Sequence, residues 1–231
     1  MSRIYLSYLA WPELKEALAR EGHQICVLSP KQAVSEPISA HPDIYMCKMG
    51  TSPKSPVFAG NEAQLGHVYP SDVPYNAVVT EKYMICNMKT VSTELVCAAK
   101  QLYPGLEIIN VAQGYTKCNV VVVDERHFIT EDVGIFTAEA KYLDDHKTVE
   151  PENSPEFLLI SSGNVEIPGF KRGFIGGASG RIGNDIWFNG DITMHPDYLR
   201  IRAFIDELGL GIRYVPGKQL TDIGSIIEEQ V

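Results

Sequence analysis

The stretch YNAVVTEK at residues 75–82 recurs in outline as CNVVVVDE at residues 118–125. Each copy contains an Asn, four mostly β-forming residues, an acidic residue and a second charged residue. A short apolar strand, a helical stretch and a further strand follow each copy. A repeat of about forty residues built from one small unit is typical of repeat folds, propellers among them. The repeat therefore decides the fold, and it predicts that equivalent strand ends meet at the centre of the molecule.

The same order of elements extends along the chain. Apolar residues at helical spacing predict helices at residues 12–20, 92–103, 135–144 and 199–208. Residues 60–69 are a degraded counterpart of such a helix, and residues 144–155 are predicted to form a charged, solvated loop.

The two ends of the chain complement each other. The N-terminal segment has a strand, a helix and a strand without a leading hairpin, whereas the last strand, at residues 220–227, has no helix after it. If the C-terminal strand pairs beside the N-terminal strand, it completes the first unit and leaves no open sheet edge. We therefore predict an α/β fold of five ββαβ units in a single domain over residues 1–231.

The composition limits the kinds of partner. The formal net charge of −9 argues against nucleic acid or an anionic membrane, since both require a basic face. It fits a neutral or cationic small molecule, although solubility explains it equally well. Five cysteines without a Cys-x-x-Cys pair indicate reduced thiols in a cytoplasmic protein. Neither a signal peptide nor a membrane span is predicted, and a homo-oligomer is left open.

Three phrases carry a resemblance to a known superfamily. They are GYTKCN at residues 114–119, GFIGGASG at residues 173–180, and the run from Phe188 through Gly190-Asp191 to His195-Pro196-Asp197. In a chain of five ββαβ units they resemble the pentein, or guanidino-modifying-enzyme, superfamily, as an uncharacterised branch of it. The resemblance covers essentially the whole chain and implies an α/β propeller. That superfamily includes arginine and agmatine deiminases, amidinotransferases, dimethylarginine dimethylaminohydrolases and a non-catalytic ribosome-associated initiation factor.

The resemblance implies where a catalytic His and acid would lie. Catalytic members use a Cys nucleophile, a His acid/base and carboxylates that hold the guanidinium. His41-Pro42-Asp43 resembles the His-x-Asp/Glu strand motif of the superfamily, and strand alternation would send both side chains to one face. A turn followed by a cap explains the motif equally well. In the second copy, His195-Pro196-Asp197, capping of the next helix is the better explanation.

Cys118 is the candidate nucleophile. It starts an inner strand beside Lys117, whose positive charge would lower the pKa of the thiol. The superfamily nucleophile usually lies in the last inner strand, but residues 218–225 contain no cysteine. A Cys118 mechanism therefore requires a site that has moved to another unit, and the alternative is a small buried apolar residue. The four other cysteines, which lie in apolar patterns, are predicted to be in the core.

Further residues are candidates for substrate binding. Gly176-Gly177-Ala178 resembles the Gly-Gly-Asp/Asn segment of the superfamily, with Ala in the place of the acid. Ser179 and Arg181 could hold an anion, or could belong to a flexible strand with a surface Arg.

Two repeat positions and two acids complete the set of candidates. Asn76 and Asn119 occupy equivalent positions in the repeat and are expected to face the centre near Asp43 and Asp222, although Asn at a strand start often caps a turn. No His, Cys and Asp cluster has the spacing of metal ligands, so neither a metal nor a cofactor is predicted.

Two functions from different classes follow. The first is a cysteine-dependent hydrolase or transferase that acts on C–N bonds of a guanidino or amidino substrate, with Cys118 as nucleophile, His41 as acid/base, and Asp43 and Asp222 holding the substrate. The second is a non-catalytic binding or scaffold protein that keeps the ring of units. A weaker third option is a sensor that binds a small molecule in the same central pocket.

Overall fold

The computed structural model describes residues 1–146 and 154–230. Its strands are β1 Ser2–Ser7, β2 Gln24–Leu28, β3 Met46–Lys48, β4 Val57–Ala59, β5 Val78–Val79, β6 Tyr83–Cys86, β7 Glu107–Asn110, β8 Val120–Val122, β9 His127–Thr130, β10 Glu156–Leu159, β11 Ser179–Ile182, β12 Asp185–Phe188, β13 Gly211–Arg213 and β14 Ile227–Gln230. Its α-helices are α1 Pro12–Arg20, α2 Pro42–Tyr45, α3 Thr93–Leu102, α4 Thr116–Asn119, α5 Val133–Asp145 and α6 Tyr198–Asp206.

Four small sheets share one plan. In the sheets β5-β6-β7, β8-β9-β10, β11-β12-β13 and β14-β1-β2, the first strand is antiparallel to the second and the second is parallel to the third. The parallel strands are joined through α3, α5, α6 and α1, because parallel neighbours need a crossover connection. The predicted ββαβ order is confirmed for these four units, and the fold is mixed α/β.

The second unit is smaller than the others. It consists of the antiparallel pair β3 and β4, and residues 60–69 contain only a short 3₁₀ helix at Glu62–Gln64. The polar sequence of that stretch provides no apolar stripe to bury, so a full helix has no packing to stabilise it. The predicted solvated loop at residues 144–155 lies partly outside the described residues.

The C-terminal strand pairs with the N-terminal strand, as predicted. β14 runs antiparallel to β1, with Ser2 opposite Gln230 and Tyr5 opposite Ile227. The predicted bounds of this strand, residues 220–227, are wrong. Gly224 and Ser225 have φ values of 70° and 74°, so the chain turns there, and extended structure begins only at Ile227.

Helices that were predicted from periodicity begin and end close to the expected residues. The Ser92 side chain accepts a hydrogen bond from Leu95 N at the start of α3, and Asp132 accepts one from Ile135 N at the start of α5. Leu95 and Ala99 form the buried stripe of α3. Cys97 lies on the opposite face and is exposed, so its predicted place in the core is wrong. Cys47 and Cys86 are buried, and Cys26 is half-buried.

Apolar clusters connect each sheet to its neighbours. One cluster combines Val121 with Ile186 and Phe188 of β12 and with Ile201 of α6. A second combines Ile4 of β1 with Trp187, Ile223 and Ile226. The units therefore pack side by side, and this packing brings the segments that precede β3, β5, β8, β11 and β14 close together. Among the described residues, no helix has the length and apolar character needed to cross a membrane.

Candidate active site

Polar side chains from all five units gather where the first strand of each unit is about to begin. The second unit provides His41 and Asp43, the third Asn76, the fourth Lys117 and Cys118, the fifth the backbone of Gly176 and Gly177, and the first Asp222 and Ser225. Except for Lys117, which is half-buried, the side chains of this group are almost fully buried. Buried polar groups of this kind must satisfy one another.

Hydrogen bonds link these segments in a continuous series. Asp43 N donates to Gly224 O (3.0 Å), and Asp43 O accepts from Asn76 Nδ2 (3.4 Å). Asn76 Oδ1 in turn accepts from Lys117 N (2.7 Å) and Cys118 N (3.2 Å). Cys118 O accepts from Gly177 N (2.7 Å), and Gly177 O accepts from Ser225 N (2.8 Å). Each segment therefore fixes the position of the next, and the series returns to the segment where it began.

His41 and Asp43 are brought together by a helix start rather than by a strand. Pro42 occupies the first position of α2, which suits its fixed φ. His41 is extended, because the proline ring disfavours a helical conformation at the residue before it. The strand geometry predicted for the motif is therefore wrong. Both side chains are nevertheless buried at the same site, 1% exposed each.

The Cys118 thiol contacts Asp43 and Asn76. Its Sγ donates to Asp43 Oδ2 at 3.2 Å and accepts from Asn76 Nδ2 at 3.2 Å. Burial, together with the negative charges of Asp43 and Asp222, raises the pKa of this thiol well above its ordinary value. The expectation that Lys117 makes the thiol acidic is wrong, because burial and the two carboxylates outweigh the single positive charge.

Ser225 is a part of the site that sequence reasoning missed, and Lys117 was predicted only as a charge beside Cys118. Lys117 Nζ donates to Ser225 Oγ at 3.0 Å, and Ser225 Oγ donates to Asp43 Oδ2 at 2.7 Å. Nothing in the pattern around Ser225 distinguishes it from a turn serine. The one available signal was Lys117 itself, a charged residue three positions before a run of four valines.

Asp222 and His41 present ionisable groups beside the thiol. Asp222 accepts hydrogen bonds from Gly224 N (2.9 Å) and Phe174 N (3.0 Å), and burial raises the pKa of its carboxyl to about 6. Burial lowers the pKa of His41 to about 4, so its imidazole is neutral at pH 7. His41 Nδ1 lies 3.9 Å from Asp222 Oδ1, and within the described residues neither ring nitrogen has a hydrogen-bond partner.

A cavity of about 300 Å³ opens onto this group. It is lined by Ile38, His41, Tyr115, Cys118, Ile167, Phe170, Lys171, Arg172, Phe174 and Asp222. Phe170, Lys171 and Arg172 are exposed and form its mouth, whereas His41, Cys118 and Asp222 form its floor. The volume is at the lower end of the range for pockets that hold a small organic molecule.

A model described as "Family of unknown function (DUF6873)" matches residues 56–227 of the chain. The chain belongs to this family. The match includes Asn76, Cys118 and Asp222, while His41 and Asp43 precede its first residue. No curated protein matches the DUF6873 chain.

The remaining predicted site residues of this DUF6873 protein lie away from the cavity or support it from behind. Asn76 holds the backbone and thiol of Cys118, as described above, and Asn119 Nδ2 donates to Tyr115 O at 2.9 Å. The Ser179 hydroxyl donates to Gly176 O at 3.3 Å. Arg181 donates to Val123 O (2.6 Å) and Gly183 O (3.1 Å) and lines a separate cavity of about 50 Å³.

The second His-Pro-Asp motif lies at the start of α6, but the expected capping by its side chain is wrong. Asp197 precedes the helix without a side-chain hydrogen bond to a backbone N–H of its first turn. Its Oδ2 instead accepts from Ser161 N at 2.6 Å, and His195 Nδ1 accepts from Asp197 N at 3.1 Å. Within the described residues, no group of three or more His, Cys, Asp and Glu side chains is arranged to hold a metal ion.

Proposed function

We propose that this DUF6873 protein is a pentein-type propeller of five units with a small-molecule pocket at its centre. Two observations support the ring. The first strands of neighbouring sheets are in contact, β14 with β3, β3 with β5, β8 with β11 and β11 with β14. The hydrogen bonds described above also pass through a segment of every unit and return to their start.

The pocket of this ring binds a planar guanidino or amidino cation, and Cys118 attacks its central carbon. The observation that carries the proposal is that His41, Cys118 and Asp222, which come from three units, line one cavity. Asp43 contacts the same thiol at 3.2 Å. A nucleophile, a base with free nitrogens and two carboxylates are the groups needed to hold and cleave such a cation.

A bound cation changes the charge around the thiol. The carboxylates of Asp43 and Asp222 oppose a thiolate. A guanidinium held by Asp222 offsets their negative charge and lowers the pKa of the Cys118 thiol, because an opposite charge nearby favours the ionised form. The nucleophile is then formed only when a substrate is present.

The reaction proceeds in two halves. The thiol proton, which Asp43 Oδ2 accepts in this structure, passes to the neutral imidazole of His41 as Sγ bonds to the amidino carbon. The imidazolium returns this proton to the departing nitrogen as the C–N bond breaks. In the second half, water attacks the same carbon with His41 as base, the C–S bond breaks, and the thiol regains a proton. Attack by an amine in place of water gives a transferase.

The test measures the release of ammonia or amine from a panel of small guanidino and amidino compounds. Cys118→Ala is compared with Cys97→Ala, because Cys97 is exposed on a helix. We expect the wild-type protein and Cys97→Ala to turn over a compound that Cys118→Ala leaves intact. Equal turnover by all three proteins overturns the proposed role of Cys118.

A second candidate function is binding without turnover, as a sensor or scaffold. The raised pKa of the buried Cys118 thiol favours it, since structural cysteines in proteins are buried and inert. This function predicts that a guanidino compound raises the melting temperature without reaction. In that case Cys118→Ala retains the stabilisation, whereas Asp222→Asn loses it.

A further inference from the structure

The ammonium of Lys117 is held inside the site without a direct carboxylate partner. Its Nζ donates to Val120 O (3.3 Å), Gly176 O (3.2 Å) and Ser225 Oγ (3.0 Å). These three acceptors match the three donors of an ammonium, and all three are uncharged. The ionisable groups that face it are Asp43, Cys118, Cys47 and Asp222.

The Ser225 hydroxyl connects this ammonium to Asp43. It accepts from Lys117 Nζ and lies 2.7 Å from Asp43 Oδ2 and 3.1 Å from Gly176 O. Of these two oxygens, Asp43 Oδ2 is closer and belongs to a carboxylate, so it is the stronger acceptor for the hydroxyl proton. The same Oδ2 atom accepts from the Cys118 thiol, so one oxygen of Asp43 joins the serine to the cysteine.

The backbone of Ser225 provides an independent observation. Among the described residues, Ser225 is the one non-glycine residue with a positive φ, 74°. Residues held in this sparsely populated region occur where the surroundings fix them, often at functional sites. A glycine would adopt this conformation without strain, but it would lack the hydroxyl. The serine at this position therefore indicates that its side chain is used.

We propose that Lys117 is a positioning residue of the pocket, which acts through Ser225 to hold the Asp43 carboxylate ionised and in contact with the Cys118 thiol. The proposal rests on the proposed function only in treating Asp43 and Cys118 as parts of the site. Asp43 Oδ1 has no hydrogen-bond partner within the described residues. Burial and the neighbouring Asp222 raise the pKa of the Asp43 carboxyl, whereas His41, the Ser225 hydroxyl and the Lys117 ammonium oppose this rise. Without the ammonium, this pKa is expected to rise further and the carboxylate to take up a proton, because an unpaired buried charge is costly.

The experiment compares the unfolding equilibrium of wild type, Lys117→Met and Lys100→Met by denaturant titration between pH 5 and 8. Lys100 is exposed on α3 and controls for the loss of a lysine. In folded Lys117→Met, Asp43 holds a proton that it releases on unfolding, so the variant loses stability as pH rises. Relative to wild type, the unfolding constant of Lys117→Met is expected to increase by up to tenfold per pH unit. The unfolding constant of Lys100→Met is expected to depend on pH in the same way as that of wild type.

A double variant assigns this proton to Asp43. With Lys117→Met added to Asp43→Asn, the unfolding constant is expected to depend on pH in the same way as in Asp43→Asn alone, because the titrating group is absent. The Asp222 carboxyl titrates in all of these proteins, so only differences between profiles are compared. Parallel profiles of wild type and Lys117→Met, or an unchanged difference in the Asp43→Asn background, overturn the proposal.

Ser225→Ala keeps the proposal testable if Lys117→Met does not fold. It removes only the connecting hydroxyl, and we expect a shift of the same sign and smaller size than tenfold per pH unit. A profile of Ser225→Ala parallel to wild type contradicts the connection through serine. Unfolding is measured without substrate, so a protein that turns over no guanidine can still meet this test, and an active protein can still fail it.

Discussion

The two copies of the repeat have the same backbone role but different side-chain roles. Each copy contains the first strand of a three-stranded sheet, β5 in one case and β8 in the other. Tyr75 starts the first copy, and its hydroxyl accepts from Asn61 N (2.9 Å) and donates to Gln64 Oε1 (2.7 Å). Cys118 starts the second copy, and its thiol contacts Asp43 and lines the 300 Å³ cavity.

The two asparagines also differ. Asn76 reaches the next unit, where its side chain contacts the backbone of Lys117 and the backbone and thiol of Cys118. Asn119 turns back onto Tyr115 O within its own segment. A repeated pattern thus fixes where the chain enters each unit, while the neighbouring units determine which side chain faces the pocket. The second copy supplies the thiol that lines the cavity, and the first copy supports it.

The largest expected difference between the copies is in turnover. If the proposed reaction is correct, Cys118→Ser lowers kcat/KM by roughly a thousandfold or more, because an unactivated hydroxyl replaces the thiol. Tyr75→Phe, at the equivalent position, is expected to leave kcat/KM within about twofold while the protein loses about 1 kcal/mol of stability with its hydroxyl contacts. Steady-state kinetics and denaturant unfolding measure the two quantities. A Cys118→Ser protein as active as Tyr75→Phe contradicts the assignment.

The asparagines are expected to differ in stability. Asn76→Ala leaves two buried N–H groups, of Lys117 and Cys118, without an acceptor and should lower the free energy of unfolding by about 3 kcal/mol. Asn119→Ala removes one side-chain hydrogen bond and should cost about 1 kcal/mol. Equal losses in the two variants show that the linking role assigned to Asn76 is incorrect. Chemical denaturation at one pH provides the comparison.

The smallest expected effect concerns pH and the carboxylate beside the second copy. The pKa of Asp222 is raised from its ordinary value of 3.8 to about 6. Between these two pH values the folded protein keeps a proton on Asp222 that the unfolded chain has lost. Stability from this group is fully present below about pH 4 and falls by on the order of 2 kcal/mol as pH rises through 6. Asp222→Asn should remove this slope, and Tyr75→Phe should retain it.

The affinity for a cation should rise over the same pH range in which the stability falls. Ionised Asp222 attracts a guanidinium, so thermal stabilisation by a guanidino compound is expected to grow as pH rises through about 6. Stabilisation that is independent of pH between 5 and 7 argues against Asp222 as the group that holds the ligand.

The order of helices and strands was readable from the sequence. The apolar stripes that place α1, α3, α5 and α6 and the pairing of β14 with β1 all follow from local periodicity and from the need to close a sheet edge. The grouping of His41, Asp43, Cys118 and Asp222 was also predicted, because equivalent strand ends of the repeating units were expected to meet at the centre.

Properties that depend on more than one unit could not be predicted from the sequence. Lys117 next to Cys118 predicted an acidic thiol, but Asp43 and Asp222, which lie far away in the sequence, reverse the direction of its pKa. Arg181, predicted near the substrate, instead lines the other cavity. The charge in a pocket and the residues that line it depend on several units, and only the packing of those units brings them together.

The sequence by itself determined the repeating unit and the segments from which a site could be built, because hydrogen-bonded backbone and apolar periodicity are local properties of the chain. Only the tertiary structure decided that Asn76 supports Cys118, that Ser225 connects Lys117 to Asp43, and that Phe170 and Arg172 form the mouth of the cavity. These contacts join residues of different units, and the side-by-side packing of the sheets creates them.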